Sequence, residues 1–250
     1  MNNKDILVYV FDSDLQKFSK NGKLDLINFA KFWIVDLYKK HDLKIKVLDC
    51  NQQNNSLFFN VILKRKNNEE LNLYINFLVL DLNYYDELFW KENSTKIVDY
   101  GYELIKNTFI NVYPEYKDEP IDQSKRNEIE NLIFRKITNI CNGYINYGII
   151  EFINDIFISI ITEHKLENGN KRMAQAVLQI LLRNFGYYFK YSNLPKNRCP
   201  NQKMNLKDQL INMLENYTND CSDNDSRFEN LRIQSNKYIW DNILISFYKK

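Results

Sequence analysis

The chain has 250 residues, 44% of them hydrophobic and 26% charged, with a formal net charge of +2. That length accommodates one large domain or two small ones, and the composition is ordinary for a globular protein. The balanced charge gives no footing for nucleic-acid binding, which usually shows a strongly basic, clustered surface.

The first part reads as β-α-β-β-β. Asp5 to Phe11 is a β-rich run. From Lys23 to Lys40 the apolar positions are Leu26, Phe29, Ala30, Trp33, Ile34, Leu37 and Tyr38. Steps of three and one keep those side chains on one face at a 3.6-residue period, which predicts a helix. Leu43 to Leu48 alternates apolar and lysine positions, as a half-buried strand does. Ser56 to Lys64 and Leu71 to Leu80 read as two more strands, joined by a polar stretch whose Asn67-Asn68 suits a hairpin turn. Ile97 to Val112 reads as helical, and Pro114 to Pro120 is the linker candidate. The expected division is therefore an α/β module over 1–115 and a helical domain over 120–250.

Beyond the linker the pattern is helical. Asn127 to Cys141 sets Ile129, Leu132, Ile133, Ile137 and Ile140 on one face, and Ile149 to Glu163 carries apolar pairs along its length. Gly143 to Gly148 reads as a glycine-bounded turn or hairpin. A helix is expected from Asn170 to about Asn184, stopped by Gly186, with a short strand at Tyr187 to Tyr191. Asn205 to Tyr217 and Arg227 to Tyr248 read as closing helices. With 17 Tyr and 16 Phe the chain can build a core from few alanines or valines. The fold class expected is α+β, mainly helical towards its C-terminus.

Cys50, Cys141, Cys199 and Cys221 are far apart and two histidines cannot complete a zinc site, so free thiols in a reducing compartment are expected. No charged leader with an apolar core and no ~20-residue apolar span is visible. A cytoplasmic protein without membrane contact is the reading.

The most specific run is H-K-L-E-N-G-N-K-R, His164 to Arg172, between two apolar-periodic helices. Gly169 permits a backbone turn, and the helix that follows begins near Asn170. The first amides of a helix lack helical acceptors, and together with the helix dipole they favour an anion. Arg172 offers a rigid fork of donors for a phosphate and Lys171 a mobile point charge. His164 is placed to accept a proton from an attacking hydroxyl. Taken singly, each residue also suits a helix boundary or a solvated surface; the order of the run is what singles it out. The other histidine, His41, follows Lys39-Lys40 and reads as a helix C-terminal residue.

This run resembles the signature of the Fic/Doc family, H-P-F-x-D/E-G-N-G/K-R. The resemblance extends over roughly Asn127 to Tyr191, where A-Q-A-V-L-Q-I-L-L-R-N-F-G-Y-Y-F-K (Ala174 to Lys190) is similar to the Doc helix, its turn and the following strand. It implies a helical core that binds a nucleoside triphosphate such as ATP. His164 is then the base, and Gly169, Asn170, Lys171 and Arg172 are the phosphate contacts. Most Fic members transfer AMP to a protein hydroxyl. Doc toxins carry lysine before the arginine and transfer phosphate instead, with elongation factor Tu as the target. Lys171 is of the Doc kind, and the second arginine of AMP-transferring members is replaced by Gln175.

The resemblance further implies Mg²⁺, a protein substrate and an antitoxin-like inhibitor. The family's metal-holding acid is Asn168 here, with Glu167 one residue earlier as a possible substitute. Lys165 and Leu166 replace the family's proline and phenylalanine. Tyr144, Ile145 and Asn146 are candidates for the flap that docks a target segment by strand addition. Ser124 to Glu128 partly matches the family's inhibitory helix. The readings left open are phosphate transfer, AMP transfer, and a nucleotide-binding regulator without turnover.

Overall fold

The computed structural model describes residues 4–20, 23–35, 44–54, 56–64, 70–80, 123–141, 148–163, 170–189, 206–220 and 222–245. The expected helix over Ile97 to Val112, the linker from Pro114 to Pro120 and His41 lie outside them.

The fold is α+β. Strands β1 (Lys4–Phe11), β4 (Lys44–Gln53), β5 (Ser56–Lys64) and β6 (Glu70–Leu80) form one mixed sheet in the order β1-β6-β5-β4. β1 runs parallel to β6, whereas β4-β5 and β5-β6 are antiparallel. Alternation decides the inner face: Ile6, Val8 and Val10 of β1, Leu57, Phe59, Val61 and Leu63 of β5, and Leu73, Ile75 and Phe77 of β6 are buried. β4 is longer than its apolar alternation predicts. Its register shifts between Val47 and Asp49, and a bulge of this kind lets the edge strand continue to a tight turn in which Asn54 takes φ 49°.

Between β1 and β4 the chain forms a short helix α1 (Asp12–Gln16), a small hairpin of β2 (Ser19–Lys20) and β3 (Lys23–Leu24), helix α2 (Leu26–Ala30) and a π-helical turn (Lys31–Val35). The helix expected from Lys23 thus begins only at Leu26. Asp25 explains the correction: its carboxylate accepts the Asn28 amide at 3.0 Å, as an N-cap does, which leaves Lys23 and Leu24 to pair with β2. Phe29, Trp33 and Ile34 are buried, with Phe29 edge-on to Phe77 at 5.1 Å.

Helices α3 (Gln123–Cys141), α4 (Ile149–Thr162), α5 (Asn170–Asn184), α6 (Leu206–Asn219) and α7 (Asn224–Asn242) make up the helical part. α4 is buried on every side except at Glu151 and Thr162, which are half-buried, so it is the central helix. α5 ends at Gly186, which takes φ +87°, and β7 (Tyr187–Phe189) follows. The helix expected to run to Tyr248 stops at Asn242, and β8 (Ile243–Ile245) pairs antiparallel with β7. Asn242 donates to the Tyr238 carbonyl at 2.8 Å as the helix closes, and the β-branched Ile243 beyond it is buried beside a strand that needs a partner.

One hydrophobic cluster runs from Ile6 of the first strand to Ile243 of the last, so sheet and helices share a core. Trp33 joins them, with its ring 5.7 Å from Tyr187 and 5.0 Å from Trp240.

Candidate functional site

Three expected site residues are placed by the structure, all in the first turn of α5. Asn170 is buried, Lys171 is exposed and Arg172 is half-buried. His164, Glu167, Asn168 and Gly169 of the loop lie outside the described residues, as do Tyr144, Ile145 and Asn146. What can be built from the structure is therefore the frame of the loop.

That frame is two packed helices, α4 and α5, joined by residues 164–169. α4 is fixed along its length. In its middle, the buried Asp155 pairs with Lys136 of α3 at 3.1 Å. At its end Arg135 donates to Glu163 at 2.7 Å, which ties α3 to the residue just before His164. An exposed pair of this kind contributes well under ~1 kcal/mol, so it orients more than it stabilises. Asn154 adds a bond to the Arg232 carbonyl of α7 at 2.9 Å.

α5 starts with Asn170-Lys171-Arg172 and has no acidic residue in its first turn. Cations at the positive end of a helix dipole oppose helix formation by ~0.3–1 kcal/mol each, unless an anion shares the site. Further along, Gln175 is buried and its carbonyl accepts the Tyr238 hydroxyl at 3.3 Å. Gln175 is therefore part of the contact between α5 and α7.

The other ends of both helices meet β1 and α1, which sequence reading did not find. Asp14 Oδ2 accepts the amides of Phe11 and Ile149, each at 3.0 Å, so a residue of α1 caps α4. Lys17 Nζ lies 2.8 Å from Glu151 Oε1 and 3.6 Å from Asp14 Oδ1. Burial pushes the Asp14 carboxyl up to about 6, and the Glu151 charge adds to that push. Its bonds to the Ile149 and Phe11 amides and the Lys17 charge oppose it. At the end of α5 the Phe185 carbonyl accepts the Tyr9 amide at 3.1 Å, and the Tyr187 hydroxyl donates to the Tyr9 carbonyl at 3.0 Å. Burial, with help from Asp14 and Glu151, raises the Tyr187 hydroxyl well above the ordinary tyrosine value, so it remains a donor. The only sequence hint was Asp14 three residues after Phe11, the spacing at which an acid reaches back to a helix-start amide.

Matched against protein-family models, curated proteins and solved structures, the chain finds no counterpart. Its own geometry carries the functional argument.

A separate open cavity of about 660 Å³ lies against the sheet, walled in part by Phe58, Asn60, Tyr74, Asn76 and Asp49. Among its described lining residues are one carboxylate, Asp49, and no cation or histidine. Among the described residues no group of three metal-binding side chains occurs, and no helix is long and apolar enough to cross a membrane. Cys50 is half-buried and free, whereas the side chains of Cys141, Cys199 and Cys221 fall outside what is described.

Proposed function

We propose that the chain is a Fic/Doc-like transferase that moves a phosphate from a nucleoside triphosphate to a hydroxyl of a target protein. The observation that carries this reading is the first turn of α5. Two cations and no acid stand at the start of a 15-residue helix, directly after the loop that holds the only histidine of the run. In this reading the helix start favours an anion, and a phosphate there faces the first amides of α5 and the two cations.

In this reading the exposed Lys171 and the half-buried Arg172 hold the phosphates, and Asn170 contributes at the same turn. His164 takes the proton of the target hydroxyl, whose oxygen then bonds to the terminal phosphorus as the diphosphate leaves. The loop's metal-binding set is sparse. Asn168 offers a neutral carbonyl and Glu167 one carboxylate, while Glu163 is already engaged by Arg135. Such a set suits Mg²⁺ that enters with the nucleotide, since that ion commonly rests on phosphates, waters and one or two protein oxygens. Phosphate transfer is favoured over AMP transfer by Lys171 and by the buried contact of Gln175. A translation factor is the target class that the Doc likeness suggests, and an antitoxin-like protein the matching inhibitor.

The test incubates the full chain with Mg²⁺, ATP labelled at the α or the γ phosphate, and purified elongation factor Tu or whole bacterial extract. Label should pass from the γ position only, with a mass gain of one phosphate. His164→Ala and Arg172→Ala should each lower the rate by roughly 10²–10⁴-fold. Transfer of the α label would establish AMP transfer instead. ATP binding without any transfer, unchanged by His164→Ala, would leave a nucleotide-binding regulator and end the enzymatic reading.

A further inference from the structure

The corner where α1 meets α4 holds an arrangement that the transferase reading does not use. Gly148 precedes α4, and a Cβ there would collide with Asp14 Oδ1 and Glu151 Oε2 and press on Lys17 Nζ at 2.8 Å. Two carboxylate oxygens and an ammonium group thus crowd one face of a glycine. Asp14 is 2% exposed, and Glu151 Oε2 is buried without a hydrogen-bond partner. Both hydrogen bonds accepted by Asp14 fall on Oδ2, so Oδ1 is left beside the same face of Gly148 as the orphan oxygen of Glu151, with Lys17 Nζ 3.6 Å away.

We propose that Asp14 takes up a proton on Oδ1 and donates it to Glu151 Oε2, so that this pair is a pH-sensitive latch between the β1–α1 corner and the start of α4. The step balances simply: one proton passes from solvent to Oδ1, one O–H···O bond forms, and the two amide bonds to Oδ2 persist. With the proton in place, the orphan acceptor is satisfied and one buried negative charge is removed. Without it, the two carboxylates crowd the same corner, with Lys17 Nζ 2.8 Å from Glu151 and 3.6 Å from Asp14. Among the described residues, the groups that face Asp14 are Glu151 from α4, Lys17 at the end of α1 and the neutral Tyr187 hydroxyl from β7. The first amide of α4 completes its surroundings.

The upward displacement of the Asp14 carboxyl to about 6 agrees with this geometry, because burial and the Glu151 charge both favour its neutral form. The latch closes as pH falls through that value and loosens towards neutral pH. It sits at the end of α4 remote from the loop, on the helix whose other end leads into His164. The inference does not depend on the transferase reading, and its test needs no substrate.

The experiment is a carboxyl-carbon NMR titration of Asp14 in the full chain, together with hydrogen exchange of the Ile149 amide after correction for its intrinsic pH dependence. The Asp14 midpoint should lie near 6, and Ile149 protection should rise as pH falls through it. Glu151→Gln should move the midpoint down by removing the facing charge and freeing Lys17. Lys17→Met should move it up. An Asp14 midpoint near the ordinary 3.8 in the unaltered protein would overturn the latch, as would a midpoint indifferent to Glu151→Gln. Should a variant fail to fold, the unaltered protein decides by itself, because flat Ile149 protection between pH 5 and 7 also refutes the proposal.

Discussion

The starts of α4 and α5 are chemically opposite ends of one helical pair. At α4, Asp14 of the same chain accepts the Ile149 amide, and Glu151 adds a second acid in the first turn. At α5 the first turn carries Lys171 and Arg172 and no acid. Both helices present the positive end of a dipole. One is filled from within by a carboxylate, and the other is given the wrong charge for its own stability. The charge pattern of α5's own first turn is one that a bound anion suits, as the carboxylate of Asp14 suits the start of α4.

The largest effect is expected where this contrast is reversed. Lys171→Glu puts at α5 the charge that α4 already has. On the proposed transferase reading, phosphate transfer should fall by about 10²-fold or more, since an acid there would repel the nucleotide phosphates. Stability should stay level or rise by about 0.5 kcal/mol, because an acid suits a helix start. Parallel melting and transfer assays would read both. A variant that loses stability and activity together would mean that Lys171 serves the fold rather than an anion.

Gly186→Ala comes next and concerns the opposite end of α5. The glycine takes φ +87°, and an added Cβ would collide with the Leu7 carbonyl and lie 3.1 Å from Val8 Cα. Neither obstacle is a movable side-chain end. The expected cost is about 3 kcal/mol, combining left-handed strain with overpacking. Denaturant unfolding should show it as a lower midpoint with an unchanged slope. A cost below ~1 kcal/mol would mean that β1 does not grip the end of α5 as described.

Much of this fold was legible because periodicity is a local signal. The strands at Ser56–Lys64 and Glu70–Leu80 and the helices around Ile153 and Val177 follow directly from which positions are apolar. Gly186 was legible as a helix stop, and Asn170 as a helix start, because each acts on its own neighbours. The α4 corner was not, because Asp14 meets Ile149 across 135 positions and nothing near either residue announces the other. β8 was missed for a related reason. Ile243 and its neighbours suit a helix locally, and only the nearby β7 makes them a strand. At the candidate site, residue types and order supplied the chemistry. The structure contributed the frame and the burial of Gln175, a position read only by its side-chain type.

The α4 side of the contrast sharpens with pH. Asp14 lies near 6 in the folded chain against an ordinary 3.8. A carboxyl raised on folding contributes stability that is full below the unfolded value and is lost as pH rises through the folded one. Asp14 therefore favours the fold most in acid, and that contribution fades between about pH 4 and pH 6. Asp14→Asn removes the titration, so the stability difference between variant and parent should shift by about 2 kcal/mol from pH 4.5 to pH 7.5. The shift should be in the variant's favour as pH rises. Parallel stability curves would mean that Asp14 does not titrate in this range.

Gly148→Ala should produce the smallest change, and its interest lies in which neighbour resists. The new methyl meets Glu151 and Lys17, whose flexible side chains swing aside at little cost, and Asp14, which does not move freely. Two amides hold Asp14 in place, so the methyl must either displace it or be strained. A cost of about 1–2 kcal/mol is expected. In an Asp14→Ala background the same substitution should cost almost nothing, because the rigid obstacle is gone. The double-mutant cycle would then show a coupling close to the whole single-mutant effect. Additive costs would place the resistance elsewhere in the corner, in the Lys17–Glu151 pair or in the backbone of α4 itself.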